Sequence, residues 1–245
     1  MIKRCRGYYV LHQRIIIGHR GAAGLAPENT LLSFRTALDL GVHMVELDIH
    51  ETLDGHLVCI HDSSVERTTD GVGNVAEMTL DELKHLDAGQ GQTIPTLQNV
   101  LDMARSNMKV NIEIKTLGVE SKIVDLVTSR DMLHDVLVSS FFHGTLPIIK
   151  ELNSEISTAI LVDKPKHDLV SYSKELGANA INPRFSFVSI EIIEEAHENS
   201  LNVYPWTVND SSKMLELLRM GVDGLVTDYP NLGLAVLNDI SGSFL

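Results

Sequence analysis

The sequence predicts a (β/α)8 TIM barrel with a small insert between its second and third barrel strands, and three observations predict it. Short apolar runs alternate eight times with segments of helical periodicity along the 245 residues. Several of these runs are almost wholly apolar, which is typical of strands covered on both faces. About sixty residues separate the second run from the third, far more than an ordinary strand-to-helix connection needs.

The predicted strands are short and evenly distributed, as a barrel wall requires. They are residues 15–18, 44–50, 110–115, 136–140, 158–162, 180–183, 202–207 and 224–227. Helical periodicity between them covers residues 31–40, 120–129, 146–152, 169–176, 190–199 and 213–220. An open doubly wound sheet is the alternative fold, but it usually contains fewer strand-helix units.

The long connection, residues 51–109, is predicted to form a cap over the barrel mouth. It holds an apolar run that ends at His61 and a helix start at Thr79, where Glu82 completes a capping box. Residues 1–14 form a basic leader of unknown role, and the barrel is assigned to residues 15–245. Because the leader lacks the apolar core of a signal peptide, a cytoplasmic location is expected.

Charge and composition exclude several classes of partner. The net charge is −13, which argues against binding to nucleic acid or to an anionic membrane surface. No apolar run is long enough for stable membrane insertion. With only Cys5 and Cys59, a reduced buried Cys59 is favoured over a disulfide. The oligomeric state is left open.

Carboxylates at the ends of two neighbouring strands predict a metal site. Glu46 and Asp48 are two residues apart and share one face of a strand, and Glu113 with Lys115 repeats this on the next strand. Three converging carboxylates are hard oxygen ligands suited to Mg²⁺ or Ca²⁺. The alternative is that they are ordinary ion-pair partners at the rim. His50 shares the Glu46 face and either adds a ligand or points into solvent.

Two histidines are candidates for acid-base catalysis. His19 and His61 each end an apolar run and precede a charged residue, Arg20 and Asp62 respectively. Two histidines, three carboxylates, one arginine and one lysine at one barrel mouth indicate metal-assisted chemistry on a phosphate ester. Histidine transfers protons well near neutral pH, and cleavage of a phosphodiester needs both a base and an acid. Asp62 either orients an imidazole or caps the next turn. Which histidine acts as the base is left open.

Further residues are candidates for contact with the substrate. Arg20 offers a fork of donors to phosphate oxygens, and Lys115 adds a point charge. Three carboxylates alone would repel an anionic diester, so this interpretation requires a divalent cation. Glu28 is a candidate contact to the substrate or the cation, and Asn29 is a candidate N-cap of the first helix. Trp206, the only tryptophan, is a candidate wall of the pocket.

The motifs together resemble the glycerophosphodiester phosphodiesterase family, in order and over nearly all of the chain from Ile15 to Pro230. They are His19-Arg20-Gly21, Pro27-Glu28-Asn29-Thr30, Glu46-x-Asp48, Asp54-Gly55, His61-Asp62, Thr69-x-Gly71-x-Gly73, Leu86-Asp87-Ala88-Gly89, Ile94-Pro95-Thr96-Leu97, Asn111-Ile112-Glu113-Ile114-Lys115, Trp206-Thr207-Val208-Asn209, Gly221-Val222-Asp223-Gly224 and Thr227-Asp228-Tyr229-Pro230.

This resemblance implies a TIM barrel with an insert after the second strand. It implies a divalent cation held by Glu46, Asp48 and Glu113, and acid-base catalysis by His19 and His61. Phosphate contacts are implied for residues 20 and 115. The implied reaction cleaves a glycerophosphodiester to sn-glycerol 3-phosphate and an alcohol, through a cyclic phosphate formed by the neighbouring glycerol hydroxyl.

Three other functions are weighed against this one. A phospholipase D-like phosphodiesterase acting on lysophospholipids or other lipid diesters would need an apolar entry surface or an anchor, and neither is evident. A catalytically silent barrel would lack one of the two histidines or three carboxylates, and all five are present. A sugar-phosphate or aldolase-type barrel would use a Schiff-base lysine or a late glycine-rich loop. The preferred head group and the choice between Mg²⁺ and Ca²⁺ are left open.

Overall fold

Eight parallel strands form the wall of a nearly closed barrel in the computed structural model, which describes residues 14–242. The predicted leader, apart from Arg14, lies outside the described residues. The strands are β1 (Ile15–Gly18), β2 (Met44–Glu51), β4 (Lys109–Ile114), β5 (Val136–Ser140), β6 (Ser157–Val162), β7 (Ala180–Pro183), β8 (Asn202–Val203) and β9 (Gly224–Thr227); β3 (Leu57–Cys59) is antiparallel to β2. The predicted TIM barrel is confirmed.

The hydrogen-bonded order of the wall is β8-β7-β6-β5-β4-β2-β1-β9. Its two ends meet, because the Asp223 amide donates to the Val203 carbonyl at 3.1 Å and the Val226 amide donates to the Pro205 carbonyl at 3.0 Å. The eighth strand was predicted to run through residues 202–207, but its regular ladder stops at Val203. Pro183 on β7 has no N–H to donate to Tyr204, and Pro205 has none to donate toward β9, so beyond Val203 the pairing continues only through single bonds and an isolated bridge between Arg184 and Trp206.

Helices alternate with the strands and cover the outside of the barrel. They are α1 (Leu31–Leu40), α2 (Leu80–Lys84), α3 (Leu97–Ala104), α4 (Glu120–Thr128), α5 (Thr145–Leu152), α6 (Leu169–Glu175), α7 (Ile190–Glu198), α8 (Ser211–Met220) and α9 (Pro230–Gly242). Each predicted helix is present, with boundaries within two residues of those expected. Across residues 14–242, no helix has both the length and the apolar character needed to cross a bilayer.

The connection after β2 begins as a β-hairpin. β3 pairs with the end of β2, with Cys59 opposite Ile49, and His61 follows directly. A short 3-10 turn (Val75–Glu77) and α2 come next, and α2 begins with the predicted capping box of Thr79 and Glu82. These elements share a small apolar cluster of Val58, Ile60, Val65, Val75, Leu83, Ala88 and Ile94. The hairpin therefore extends β2 beyond the barrel wall and carries His61 to its mouth.

Apolar side chains fill the barrel interior beneath the mouth. One buried layer comprises Ile17, Met44, Leu137, Ala159, Ala180, Tyr204 and Val226. The next inward-facing residue on several strands is polar or charged, including Glu46 two residues beyond Met44 and Ser139 two residues beyond Leu137. The apolar layer thus ends where the polar site begins, and it forms the floor of that site.

Removing the ring of Phe34 should destabilise the fold measurably. Phe34 on α1 is fully buried in the cluster between helices and strands. We expect Phe34→Ala to lower the free energy of unfolding by about 3–5 kcal/mol, because the residual cavity adds to the lost burial. Phe142→Ala is the matched control, since Phe142 is 47% exposed. Urea denaturation compares the two, and equal losses would contradict the assignment of Phe34 to the core.

Candidate active site

Three carboxylates converge at the mouth of the barrel, as the sequence predicted. Glu46 and Asp48 lie on β2, and Glu113 lies opposite Asp48 on β4. One oxygen from each residue lies within 4.8 Å of the others, and all three residues are buried. The same-face spacing on β2 and the parallel register of β4 bring them together.

Electrostatics in the carboxylate cluster favour a bound cation. Burial raises the pKa of Glu46 well above its ordinary value, and the neighbouring charges of Asp48 and Glu113 raise it further. Burial and then Asp48 raise the pKa of Glu113 to about 7. Glu46 Oε1 is buried and has no hydrogen-bond partner among the described residues. A buried oxygen without a partner, beside two more carboxylates, is a donor set that fits Mg²⁺ or Ca²⁺.

Two cationic side chains border the carboxylates. Lys115 Nζ lies 2.5 Å from Glu113 Oε1 and 3.2 Å from Asp48 Oδ1. Arg20 Nε lies 3.2 Å from Asp48 Oδ2, and the Arg20 amide donates to Glu46 Oε2 at 2.9 Å. Burial opposes the charge on Asp48, but Lys115 and Arg20 outweigh it and lower its pKa. The two predicted phosphate-binding cations therefore lie beside the cluster.

His19 is held at the end of β1 by an aspartate from the end of β9. The imidazole Nδ1 lies 2.6 Å from Asp228 Oδ1, and Asn209 Nδ2 donates to the other Asp228 oxygen at 2.6 Å. The opposite ring nitrogen, Nε2, lies 3.9 Å from Glu46 Oε2. The ring is therefore fixed with Nε2 on the side of the carboxylates.

His61 is oriented by its chain neighbour. Its Nδ1 lies 2.5 Å from Asp62 Oδ1, so Asp62 orients an imidazole, one of the two roles that the sequence left open. Arg67 Nε donates to Asp62 Oδ2 at 2.5 Å. Burial lowers the pKa of His61 although Asp48 and Asp62 oppose the shift. The ring is consequently neutral at pH 7.

Arg67 connects this histidine, through Glu28, to Arg20. Its two terminal nitrogens donate to both Glu28 oxygens at 2.8 Å. Arg20 NH1 donates to Glu28 Oε1 at 2.7 Å. Glu28 thus bridges the two arginines. It is not among the described residues that line the cavity between His19 and His61. A direct contact between Glu28 and substrate stays a prediction.

Two further side chains support the cluster. Asn29 was a candidate N-cap, but this was wrong: the N-cap of α1 is Thr30, whose hydroxyl accepts from the Ser33 amide. Asn29 has a positive φ of 55° and donates from Nδ2 to Asp48 Oδ2 at 2.9 Å. His50 does not point into solvent, since its Nε2 lies 3.1 Å from the His61 carbonyl oxygen.

A single cavity joins these groups. Its charged side is lined by the predicted residues His19, Arg20, Glu46, His61, Glu113 and Lys115. Its apolar side includes Phe141, Leu161 and Trp206, with the Phe141 and Trp206 rings edge to face at 5.6 Å. Trp206 Nε1 donates to the Asn182 carbonyl at 2.7 Å, which fixes the indole against the wall. The cavity therefore has one face for a charged group and one for an apolar group.

Comparison with known proteins identifies the family. The sequence matches the glycerophosphoryl diester phosphodiesterase family over residues 19–232. The chain belongs to this family. It is 34% identical over 229 residues to the glycerophosphodiester phosphodiesterase of Caldanaerobacter subterraneus, covering 88% of this chain and 94% of that protein. It is 37% identical over 231 residues to a putative glycerophosphodiester phosphodiesterase of Bacillus subtilis, covering 88% and 95%.

Solved structures in the glycerophosphoryl diester phosphodiesterase family share the fold. A phosphodiesterase of Oleispira antarctica, solved in complex with the product sn-glycerol-3-phosphate, matches with a TM-score of 0.86 and 31% identity. That match covers 92% of this chain and 97% of the other. A putative glycerophosphoryl diester phosphodiesterase of Silicibacter pomeroyi matches with a TM-score of 0.88 and 26% identity, covering 94% and 95%.

Sequence reasoning gave no role to two residues of this glycerophosphoryl diester phosphodiesterase site. Asp228 follows the last barrel strand directly, so the rule that selected His19 after the first strand could also have selected it. Arg67 lies in a loop with no apolar run before it, and no comparable signal marks it. Its partner Glu28 is 39 residues away along the chain.

Proposed function

We propose that the protein hydrolyses glycerophosphodiesters to sn-glycerol 3-phosphate and an alcohol, with one Mg²⁺ or Ca²⁺ ion held by Glu46, Asp48 and Glu113. The observation that carries this proposal is the convergence of three buried carboxylates beside His19 and His61 in one cavity. The family membership and the named activity of the relatives support it. The partner is a small-molecule diester.

Each residue has a stated part in the proposed reaction. The bound cation would polarise a phosphate oxygen as a Lewis acid. Arg20 and Lys115 hold non-bridging oxygens. His61, neutral at pH 7, takes the proton from the glycerol hydroxyl next to the phosphoryl group, whose oxygen bonds to phosphorus. By elimination, His19 protonates the departing alcohol oxygen as its bond to phosphorus breaks.

The second half of the proposed reaction reverses these roles. His19, now unprotonated, takes a proton from water, whose oxygen bonds to the phosphorus of the cyclic phosphate. The ring opens, and His61 returns its proton to the glycerol oxygen. The products are sn-glycerol 3-phosphate and the alcohol, and both histidines regain their starting states. Intramolecular attack avoids most of the entropic cost of bringing in a nucleophile.

The acid limb of the pH profile tests His61. A base must be unprotonated, and burial lowers the pKa of His61 below its ordinary 6.5, so the acid limb lies below pH 6.5 and activity is lost as pH falls through that lower pKa. We expect kcat/KM to be bell-shaped, with its alkaline limb set by the acid; a flat profile over roughly pH 5 to 9 would contradict the pair. The charged and titratable groups facing His61 are Asp48, Asp62, Lys115, Arg20 and His50.

Removing the Arg67 side chain should shift the acid limb of the kcat/KM profile. Without its guanidinium, the Asp62 charge acts on His61 undiminished and raises the histidine pKa. We expect Arg67→Met to shift the acid limb of kcat/KM upward by roughly half a pH unit, the size typical of an exposed ion pair. Arg130→Met is the control, because Arg130 also pairs with an aspartate, Asp102 of α3, and does not line the cavity. An unshifted limb in Arg67→Met would show that Arg67 does not influence His61.

The activity is tested directly by product release. Glycerophosphocholine and glycerophosphoethanolamine are incubated with the protein in Mg²⁺, Ca²⁺ or chelator, and sn-glycerol 3-phosphate is measured. Cation-dependent release supports the proposal and identifies the cation and the preferred head group. Absence of release with either cation would overturn it.

One observation favours a second candidate function, cleavage of lysophospholipids. Leu117 follows β4, and Phe141 and Phe142 follow β5; all three are exposed, and Phe141 lines the cavity. Such residues could contact an acyl chain. Lysophosphatidylcholine is therefore included as a substrate. A higher kcat/KM for it than for glycerophosphocholine would favour this function over the first.

A further inference from the structure

Three buried polar side chains in the cavity wall have no part in the proposed reaction. Asn111 lies on β4, Ser139 on β5 and Asn182 on β7, and each residue is at most 1% exposed. Asn111 Oδ1, Ser139 Oγ and both side-chain polar atoms of Asn182 have no hydrogen-bond partner within residues 14–242. A buried polar atom without a partner is costly, and native proteins rarely leave one so. All three residues line the cavity that contains the histidines and carboxylates.

The strand register places them just above the barrel floor. Asn111 lies opposite Glu46, and Ser139 lies opposite Glu113. Asn182 lies opposite Leu161, another residue of the cavity lining. Beneath them the inward-facing residues are apolar, as described for the buried layer. The unpaired atoms therefore form a neutral polar wall between the apolar floor and the charged mouth.

The chemistry of this wall selects one kind of partner. Asn182 provides a donor and an acceptor, Ser139 provides both in one hydroxyl, and Asn111 provides an unpaired acceptor. A fully ionised phosphate only accepts hydrogen bonds, and Arg20 and Lys115 already face it. A quaternary ammonium group neither donates nor accepts. An alcohol hydroxyl does both, and so it matches the wall.

We propose that Asn111, Ser139 and Asn182 form a subsite for the terminal hydroxyl of glycerol, the one farther from the phosphoryl group. This inference rests on the proposed function, in which the nearer hydroxyl faces His61. The terminal hydroxyl, one carbon away, is then left for the neutral wall. The subsite makes the enzyme select glycerol diesters over diesters of propane-1,2-diol.

The test uses a substrate that lacks only this hydroxyl. The phosphocholine diester of propane-1,2-diol keeps the attacking hydroxyl and loses the terminal one. We expect wild type to prefer glycerophosphocholine by roughly tenfold or more in kcat/KM, since a site built for a hydroxyl rejects the analogue without it. Ser139→Ala and Asn182→Leu should each lose most of this preference, because kcat/KM falls far more for glycerophosphocholine than for the analogue.

Thr158→Val is the matched control. Thr158 also carries a buried hydroxyl that has no partner in the described part of the chain, but Thr158 alternates on β6 with the inward-facing Ala159 and Leu161 and so points to the opposite side of the strand. The Thr158→Val variant should keep the wild-type preference for glycerophosphocholine over the propane-1,2-diol analogue. If Ser139→Ala and Asn182→Leu slow both substrates equally, or if wild type shows no preference, the subsite is overturned.

Calorimetry separates this inference from the proposed function. If wild type hydrolyses neither diester with either cation, the proposed function has failed. Binding of sn-glycerol 3-phosphate and of the propane-1,2-diol phosphate of the same configuration is then compared. Tighter binding of the glycerol compound that is lost in Ser139→Ala or Asn182→Leu supports the subsite, and equal affinities overturn it. Circular dichroism confirms that each variant is folded.

Discussion

His61→Ala is expected to lower kcat by about 10²- to 10⁴-fold, the usual contribution of a general base or acid. The protein should remain folded, because His61 is half-buried and the neighbouring Val58 and Ile60 keep their packing. We expect the same for His19→Ala, whose ring contacts Asp228 at the rim. Steady-state kinetics measure the loss, and thermal unfolding shows that the fold is kept.

His85→Ala provides the control for both histidine variants. His85 lies in the same insert as His61, at the end of α2, but its ring is exposed and lies 2.7 Å from the Asp81 carbonyl oxygen. Its kcat should equal that of wild type. If either His19→Ala or His61→Ala keeps activity within about threefold of wild type, that histidine has no acid-base role.

Removal of the divalent cation is expected to abolish activity and to lower thermal stability. The buried carboxylates of Glu46, Asp48 and Glu113 repel one another, and a cation that binds only the folded state stabilises it by mass action. At a concentration one hundred times Kd, the gain is about 2.7 kcal/mol. Differential scanning calorimetry after chelation and after return of Mg²⁺ or Ca²⁺ measures the shift.

Glu46→Gln and Glu51→Gln distinguish the cation site from general effects of charge. Both residues lie on β2, but Glu51 pairs with Lys122 outside the carboxylate cluster. The cation-dependent rise in Tm should disappear in Glu46→Gln and persist in Glu51→Gln. A chelated protein with full activity would contradict the metal-dependent reaction, and an unchanged Tm shift in Glu46→Gln would remove Glu46 from the cation site.

The positions of the acidic residues could be predicted because they depend on regular geometry. Strand periodicity places Glu46 and Asp48 on one face, and parallel pairing brings the end of the next strand, with Glu113, beside them. The same rule selects His19 at the end of the first strand. Such contacts follow from any barrel in which these strands are neighbours.

Contacts made through loops could not be predicted in this way. The path of the loop after His61 determines whether Arg67 reaches Glu28, and no periodicity describes that path. The role of Asn29 depends on a left-handed backbone conformation that also moves the N-cap to Thr30. The shortened β8 ladder could have been anticipated from Pro183 and Pro205, since both missing donors are visible in the sequence.

The β2–β3 hairpin has a consequence for altering this enzyme. The amide of Ile60 donates to the carbonyl of Asp48 at 3.1 Å, so the segment before His61 is hydrogen-bonded directly to the strand that carries two of the three clustered carboxylates. A change in length between Asp48 and His61 would move His61 relative to the carboxylate cluster. Exchange of the loops beyond Arg67 would leave that spacing untouched. Grafting a loop after Arg67 can therefore change the entrance to the cavity while the separation of His61 from the carboxylates on β2 is kept.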